Sequence, residues 1–375
     1  MKKRNSERLL SSGKFGVIVA AGILAVAMAT AGIARTSAGA PNAAPASDEG
    51  KVLGMAFDGH QVSNLDNSIK FYEVLDFKVS SKTDWKIDKV ANALGGTKGA
   101  MSRTAVVAMQ SSVSDKPFNL ILREYKGIDR KDWSKLTSAD LGAGHMDLTV
   151  MDDCNPSMDK LKAANLLKVP QMNMPGGPPP PNGPRRFVFV QDPDGWFIEL
   201  FAKMAPAPGA PPEAPKVSNS TATQANIERL GKQAGFNHIG LNVIDPAKAL
   251  AFYQGVLGGD YPALDPAPAA GGAAPRMTML NGWFPQATTA GNVRLELLGS
   301  PQNRDKPAPG QHFADVGVNY VGFQVTNIDA VYAKAKAAGA KTVSDGGIVK
   351  VGDGRAVMLQ DPDVGGFVEL WEPKK

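Results

Sequence analysis

Cysteine is almost missing from this chain: Cys154 is the only one in 375 residues. An intrachain disulfide is therefore impossible, and so is a cysteine-built metal cluster. The plain reading of Cys154 is a small buried thiol after a strand. Histidine is nearly as scarce, with only His60, His145, His238 and His312. A surplus of one charge is missing where it would matter. The formal charge is +5, but residues 1–40 hold six basic residues and one acidic residue, and the remainder holds 35 of each sign. A nucleic-acid binder needs a basic face to displace phosphate counterions, and the body of this chain has no surplus to build one. No G-x-G-x-x-G stands at a strand–helix junction, and P-loop and G-x-S-x-G motifs are absent, so nucleotide and serine-hydrolase chemistry have no support. Beyond residue 40 no apolar run approaches the ~18 residues that would suggest a membrane span.

What is present begins with an export signal. The segment MKKRNSERLLSSGKF is a positive n-region, and residues 16–34 carry no charge. Ala29-Thr30-Ala31 and Ala38-Gly39-Ala40 are cleavage candidates; Pro41 directly follows the second, which favours the first. The stretch nearly reaches the ~20 residues of a bilayer span, so an uncleaved N-terminal anchor is the alternative. In both cases the positive flank predicts that the rest is translocated. The protein is expected to be exported, periplasmic or secreted, touching a membrane only through the signal segment if that is uncleaved.

The remainder is a duplication. After a leader (1–40) and a disordered spacer (41–51), one domain is expected at 52–203 and a second at 235–373. A Pro-rich linker (204–234) joins them, and residues 170–184 and 262–275 are Pro/Gly-rich loops inside the halves. Val62 and Phe71 are followed by Val243 and Phe252 at the same spacing, and FVFVQDPDGWFIEL (187–200) is repeated as AVMLQDPDVGGFVEL (356–370). Each half divides again into short alternating strands flanking a helix. Strands are expected at 54–62, 103–110, 118–125, 145–151, 187–191 and 195–201, with helices at 68–75, 156–166 and 331–341. Asn64, Asp66 and Asn67 offer caps, Gly339 a C-cap, and Asp192-Pro193-Asp194-Gly195 a type I turn.

This layout resembles the vicinal-oxygen-chelate (VOC) superfamily of glyoxalase I, extradiol dioxygenases and fosfomycin- and bleomycin-resistance proteins. The resemblance rests on Phe71-Tyr72 and Phe252-Tyr253, on Leu75 and Leu257-Gly258 after them, and on the two QDPD…EL segments. It implies an α+β fold: two tandem VOC domains, each of two paired βαβββ modules whose mixed sheet curves into a cup. The family's metal-using members place ligands early in the first strand of each module and at a Glu in the last. Period two keeps alternate residues on one face, so four strands can bring donors to one ion.

Counting back from the last Val of each first strand puts Phe57 and His145 in the first domain, and His238 and Tyr320 in the second. The last-strand positions are Ile121 and Glu199, then Glu296 and Glu369. On this count the second cup holds His238, Glu296 and Glu369 as metal ligands, with Tyr320 and Glu369 also catalytic candidates. The first cup keeps only His145 and Glu199. His60 faces away from Phe57 unless a bulge at Gly59 re-aims it. His312 reads as solvated, Trp196, Trp283 and Trp371 as core or rim, and Arg185-Arg186 as a strand start or a carboxylate partner.

Two functions follow. One is an exported lyase, isomerase or oxygenase-like enzyme using one divalent ion (Zn, Ni, Mn or Fe) on a small oxygen-rich molecule. Neither expected cup holds the His, His and Glu of extradiol dioxygenases, and export would strand a glutathione-dependent glyoxalase. The other is a metal-free, small-molecule-binding protein of the bleomycin-resistance kind, favoured by the missing ligands. Metal content separates them.

Overall fold

The computed structural model describes residues 49–374 except 170–183, 204–229, 231–232, 265–276, 286, 292 and 304–305. The leader, most of the linker and the greater part of both Pro/Gly-rich loops lie outside the described residues. Among the described residues no helix is long and apolar enough to cross a membrane.

Four modules follow one another. The first comprises β1 (Lys51–Val62), α1 (Leu65–Val74), β2 (Lys78–Lys82), β3 (Lys86–Ile87), α2 (Lys89–Gly95), β4 (Met101–Gln110) and β5 (Pro117–Lys126). The second has β6 (Gly144–Met151), α3 (Asn155–Ala163), β7 (Phe187–Gln191) and β8 (Phe197–Lys203). The third has β9 (Gly235–Val243), α4 (Pro246–Tyr253), β10 (Thr278–Gly282) and β11 (Arg294–Gly299). The fourth has β12 (Asn319–Thr326), α5 (Ile328–Ala337), β13 (Lys341–Thr342), β14 (Val349–Val351), β15 (Gly354–Gln360) and β16 (Phe367–Glu372). Local chemistry accounts for the boundaries. Asn64 accepts from the Asn67 amide at 3.0 Å and starts α1. Asp245 caps α4 just ahead of Pro246 at its first turn. The Gly195 amide closes the turn onto the Asp192 carbonyl at 3.1 Å, with Gly195 at φ +84°, a conformation that favours glycine.

The α+β architecture and the cup-shaped mixed sheets agree with expectation; the choice of partners does not. One sheet runs β13-β15-β16-β12-β1-β5-β4-β2, with β14 on β15 and β3 on β4. The other runs β10-β11-β9-β6-β8-β7. The first module thus pairs with the fourth through antiparallel β1 and β12, and the second with the third through antiparallel β6 and β9. The expectation that each half closes its own cup is corrected. All four first strands share one period-two pattern, so the pattern fixes which face is buried but not which strand lies alongside.

The contacts within each half run through helices and turns. Tyr72 on α1 donates its hydroxyl to Asp192 at 3.0 Å, and Tyr253 on α4 donates to Asp361 at 3.3 Å. The Phe-Tyr and QDPD motifs of one half are therefore two sides of one contact, and it fastens one sheet to the other. A continuous apolar core lies between the sheets and includes Phe71, Phe77, Phe118, Phe236, Phe252 and Phe323, each at most 1% exposed.

Candidate metal centre

Register decides what each cup contains. In the β6–β9 sheet, Asp147 lies beside Glu199 and opposite His238, while Gly240 lies beside Glu296 and opposite His145. His145, Glu199, His238 and Glu296 therefore come from four strands of two modules onto one face. His145 Nε2 lies 3.1 Å from His238 Nε2, and 3.3 Å from both Glu199 Oε2 and Glu296 Oε2. His238 Nε2 lies 3.6 Å from Glu296 Oε2 and 3.9 Å from Glu199 Oε2. Donors bound at 2.0–2.2 Å to one ion stand ~2.8–3.6 Å apart along the edges of an octahedron or tetrahedron. His145, Glu199 and His238 each offer a ligand atom within 4.8 Å of the others, two imidazoles and a carboxylate whose chemistry suits a divalent cation, and Glu296 stands against both imidazoles as the adjoining carboxylate.

Crosswise pairing thus unites residues expected in different cups. His145 and Glu199 join His238 and Glu296. Glu369 and Tyr320 do not: they lie in the other sheet, beside Phe57 and Ile121. The assignment of Glu369 as a metal ligand together with His238 is corrected, and so is the placing of Glu369 and Tyr320 as catalytic groups of that site. The physical reason is the strand order: β12 pairs with β16 on one side and with β1 on the other, in a sheet that does not contain β9.

Electrostatics separates the four donors. Burial alone would lower His145, but its hydrogen bond with Glu296 and the charges of Glu199 and Glu296 raise it on balance. Burial brings His238 down to about 4, against the pull of Glu296. Burial pushes Glu199 up to about 7, with His145 opposing and Glu296 assisting. For Glu296 burial also acts upward, yet hydrogen bonds from both imidazoles hold it well below the ordinary carboxylate range.

Two surrounding residues, Asp147 and Arg294, had not been singled out by the sequence pattern as site groups. Asp147, 2% exposed, has Oδ1 3.7 Å from His238 Nδ1, and its Oδ2 makes no hydrogen bond. The equivalent positions in the other modules are Gly59, Gly240 and Gly322, where a Cβ would overlap the ring of Tyr320, His145 or Phe57. That substitution in an otherwise glycine register position was the available signal. Arg294 Nη2 lies 3.1 Å from His238 Nδ1 and also donates to Asn237 Oδ1. Its guanidinium stands 5.6 Å above the Trp283 ring, so Trp283 belongs to this cup's wall. The register places Phe187, Phe189 and Phe201 on one side of the same face and Met279 and Leu298 on the other. Phe201 and Met279 are about half exposed, so the donors sit at the floor of an open cup with apolar walls.

The other cup is filled. Phe313 packs on Tyr320 and Phe367 with ring centroids 5.1 and 5.5 Å apart, and Leu94, Met358 and Trp371 complete the cluster. The other residues noted in the sequence lie outside this cup's donor set. His60 stays on the opposite face of β1 and stacks on Trp196 at 4.7 Å. His312 is exposed. Arg185 and Arg186 lead into β7, their carbonyls accepting from Cys154 and Ala202. Cys154 is buried, donates to the Leu200 carbonyl at 3.2 Å, and is pushed up to about 12 by burial.

Comparison with known proteins bears on the family and the fold. Residues 235–366 match the family model described as Glyoxalase/Bleomycin resistance protein/Dioxygenase superfamily. Human mitochondrial methylmalonyl-CoA epimerase is 30% identical over 181 residues, covering 46% of this chain and 92% of that protein. Glyoxalase I from Zea mays shares the fold at 18% identity and a TM-score of 0.50, over 85% of this chain and 92% of that one.

Proposed function

The chain belongs to the Glyoxalase/Bleomycin resistance protein/Dioxygenase superfamily, and from that premise we propose that it is a divalent-metal enzyme moving a proton next to a substrate oxygen. The observation that carries this reading is the convergence of His145, Glu199, His238 and Glu296 in the open cup. An ion held there would supply Lewis-acid stabilisation of negative charge developing on vicinal oxygens of a small substrate. The rest falls to the chain's own groups. His145 and His238 fix the floor. Glu296, held by both imidazoles, is a permanent anion. Glu199, with a side chain 14% exposed against 6% for Glu296, is the carboxylate a substrate meets first, and in this reading it accepts the proton. Arg294 over Trp283 offers a cation at the wall, and the Phe and Met walls exclude water from the rest of the ligand.

Two alternatives change weight. The metal-free binding reading drew on ligands missing from both cups; with crosswise pairing one cup has a full set and the other has Glu369 alone among the four positions. A dioxygenase gains ground as well, because His145, His238 and Glu199 share one cup. The second carboxylate favours proton transfer, as does the epimerase relative. The test is substrate-analogue proton exchange in D2O by NMR, alongside oxygen uptake, using 2-oxo and 2-hydroxy acids and their thioesters with Zn, Ni, Mn or Fe. Metal-dependent exchange without oxygen uptake is expected; oxygen uptake without exchange overturns the reading.

We also propose that the protein works outside the cytoplasm, on the strength of residues 1–40. N-terminal sequencing of the purified native protein is expected to begin just after Ala31. An intact Met1 in a cytoplasmic fraction refutes export.

A further inference from the structure

We propose that His60, Asp192 and Asp194 form a second divalent-metal site, structural in role, at the junction where α1 meets the β7–β8 turn. The site is independent of the cup and lies on the opposite face of β1. His60, Asp58 and Asp192 are 0% exposed and Asp194 2%. One ligand atom from each of His60, Asp192 and Asp194 lies within 4.8 Å of the others, and His60 Nε2 is 3.1 Å from Asp192 Oδ2. That approach is off the line of a hydrogen bond: neither ring nitrogen of His60 has a hydrogen-bond partner. A fully buried imidazole whose ring nitrogens make no hydrogen bond is costly, and a cation between it and the Asp192 and Asp194 carboxylates removes the cost.

The surroundings are arranged as supports to such a site. Tyr72 donates to Asp192 Oδ2 at 3.0 Å, and Ser68 to Asp194 Oδ2 at 3.3 Å. Asp192 Oδ1 accepts from the amides of Asp194 and Trp196, and Asp194 Oδ1 from that of Ser63. Stacking on Trp196 fixes the His60 ring. Arg130, the nearby cation that Asp194 acts on, spends its donors on the carbonyls of Val62, Tyr125 and Ala314. Apart from His60 itself, Asp192 and Asp194 therefore face little direct neutralisation from protein cations.

The duplication supplies an internal control. The equivalent junction of the second half keeps the Tyr253–Asp361 bond, and Asp363 accepts from the amides of Ile244 and Asp245. There, however, Ile239, Leu241, Ala249 and Gly366 stand where Asp58, His60, Ser68 and Trp196 stand in the first. The fold closes this junction with apolar residues, so the polar set in the first half is not needed for closure. One imidazole with hard carboxylates suits zinc or manganese.

The experiment uses the full chain refolded with Zn or Mn, dialysed without chelator and analysed by mass spectrometry. Wild type is expected to hold two equivalents, and His145→Ala/His238→Ala to keep one, at this junction. Asp58→Ile/His60→Leu, which copies the second half, is expected to lose that equivalent. If the cup binds nothing, wild type and His145→Ala/His238→Ala both hold one, so failure of the functional reading is distinguishable. The proposal is overturned if His145→Ala/His238→Ala holds less than about a tenth of an equivalent of either metal. It is equally overturned if Asp58→Ile/His60→Leu holds as much as wild type. Should that variant not fold, the thermal midpoint of His145→Ala/His238→Ala refolded with and without chelator decides: a drop with chelator, restored by metal, supports the site, and no drop refutes it.

Discussion

His145→Ala and His238→Ala, made separately, are each expected to weaken cup metal binding by more than ~100-fold and to remove proton-exchange activity with it. The two imidazoles come from β6 and β9, which pair directly, and their Nε2 atoms are 3.1 Å apart. Removing either leaves two carboxylates and one imidazole, with Glu296 losing half of the hydrogen bonding that holds it ionised. Tyr320→Phe and Glu369→Gln are expected to leave cup metal unchanged, because both residues lie in the filled cup. Metal titration followed by mass spectrometry checks all four variants. An intact site in His145→Ala, or a lost one in Glu369→Gln, would mean that the modules pair within each half after all. Stability reports the same event: an ion at ~1,000 times its Kd adds ~4 kcal/mol to the folded state. That increment should vanish in both His variants and persist in the other two.

The residues of this site were legible in the sequence; their grouping was not. Counting back from Val62, Val150, Val243 and Val325 finds the four cup positions of the first strands, because side-chain direction along a strand is a local property of period two. The same holds for Glu199, Glu296 and Glu369 on the closing strands. Which strand pairs with which is a non-local choice among near-identical edges, and nothing in a duplicated pattern distinguishes β1 beside β6 from β1 beside β12. One signal pointed the right way. The two positions with no donor, Phe57 and Ile121, belong to the first module, and a site with four donors required that module to pair with something else. The Phe-Tyr and QDPD motifs each stand twice in the sequence, and in the fold their role is the Tyr72–Asp192 and Tyr253–Asp361 contact between sheets. Asp147 escaped because a charged residue inside HMDLTVM reads as the polar side of an alternating strand.

The filled cup makes the second prediction. Glu369 is 2% exposed, its Oε1 has no hydrogen-bond partner, and burial pushes its pKa from 4.5 up to about 7 despite Arg123. A carboxyl raised in the folded state is protonated there while the unfolded chain has already released its proton. Below about pH 4.5 both states are protonated and no penalty exists. Between about 4.5 and 7 the unfolded state binds fewer protons, so stability falls by ~1.4 kcal/mol per pH unit. Above about 7 the penalty is constant, on the order of 3 kcal/mol. Glu369→Gln keeps the shape and removes the titration. Its stability relative to wild type is therefore expected to rise steadily from pH 4.5 to 7 and then level off, while other titrating groups cancel in the difference. Urea unfolding at pH 4, 6 and 8 measures it. A wild-type-to-variant gap that does not change with pH, or that narrows towards pH 8, would show that Glu369 is ionised in the fold. The filled cup would then contain a paired charge, and its resemblance to a site would be more than a leftover of duplication.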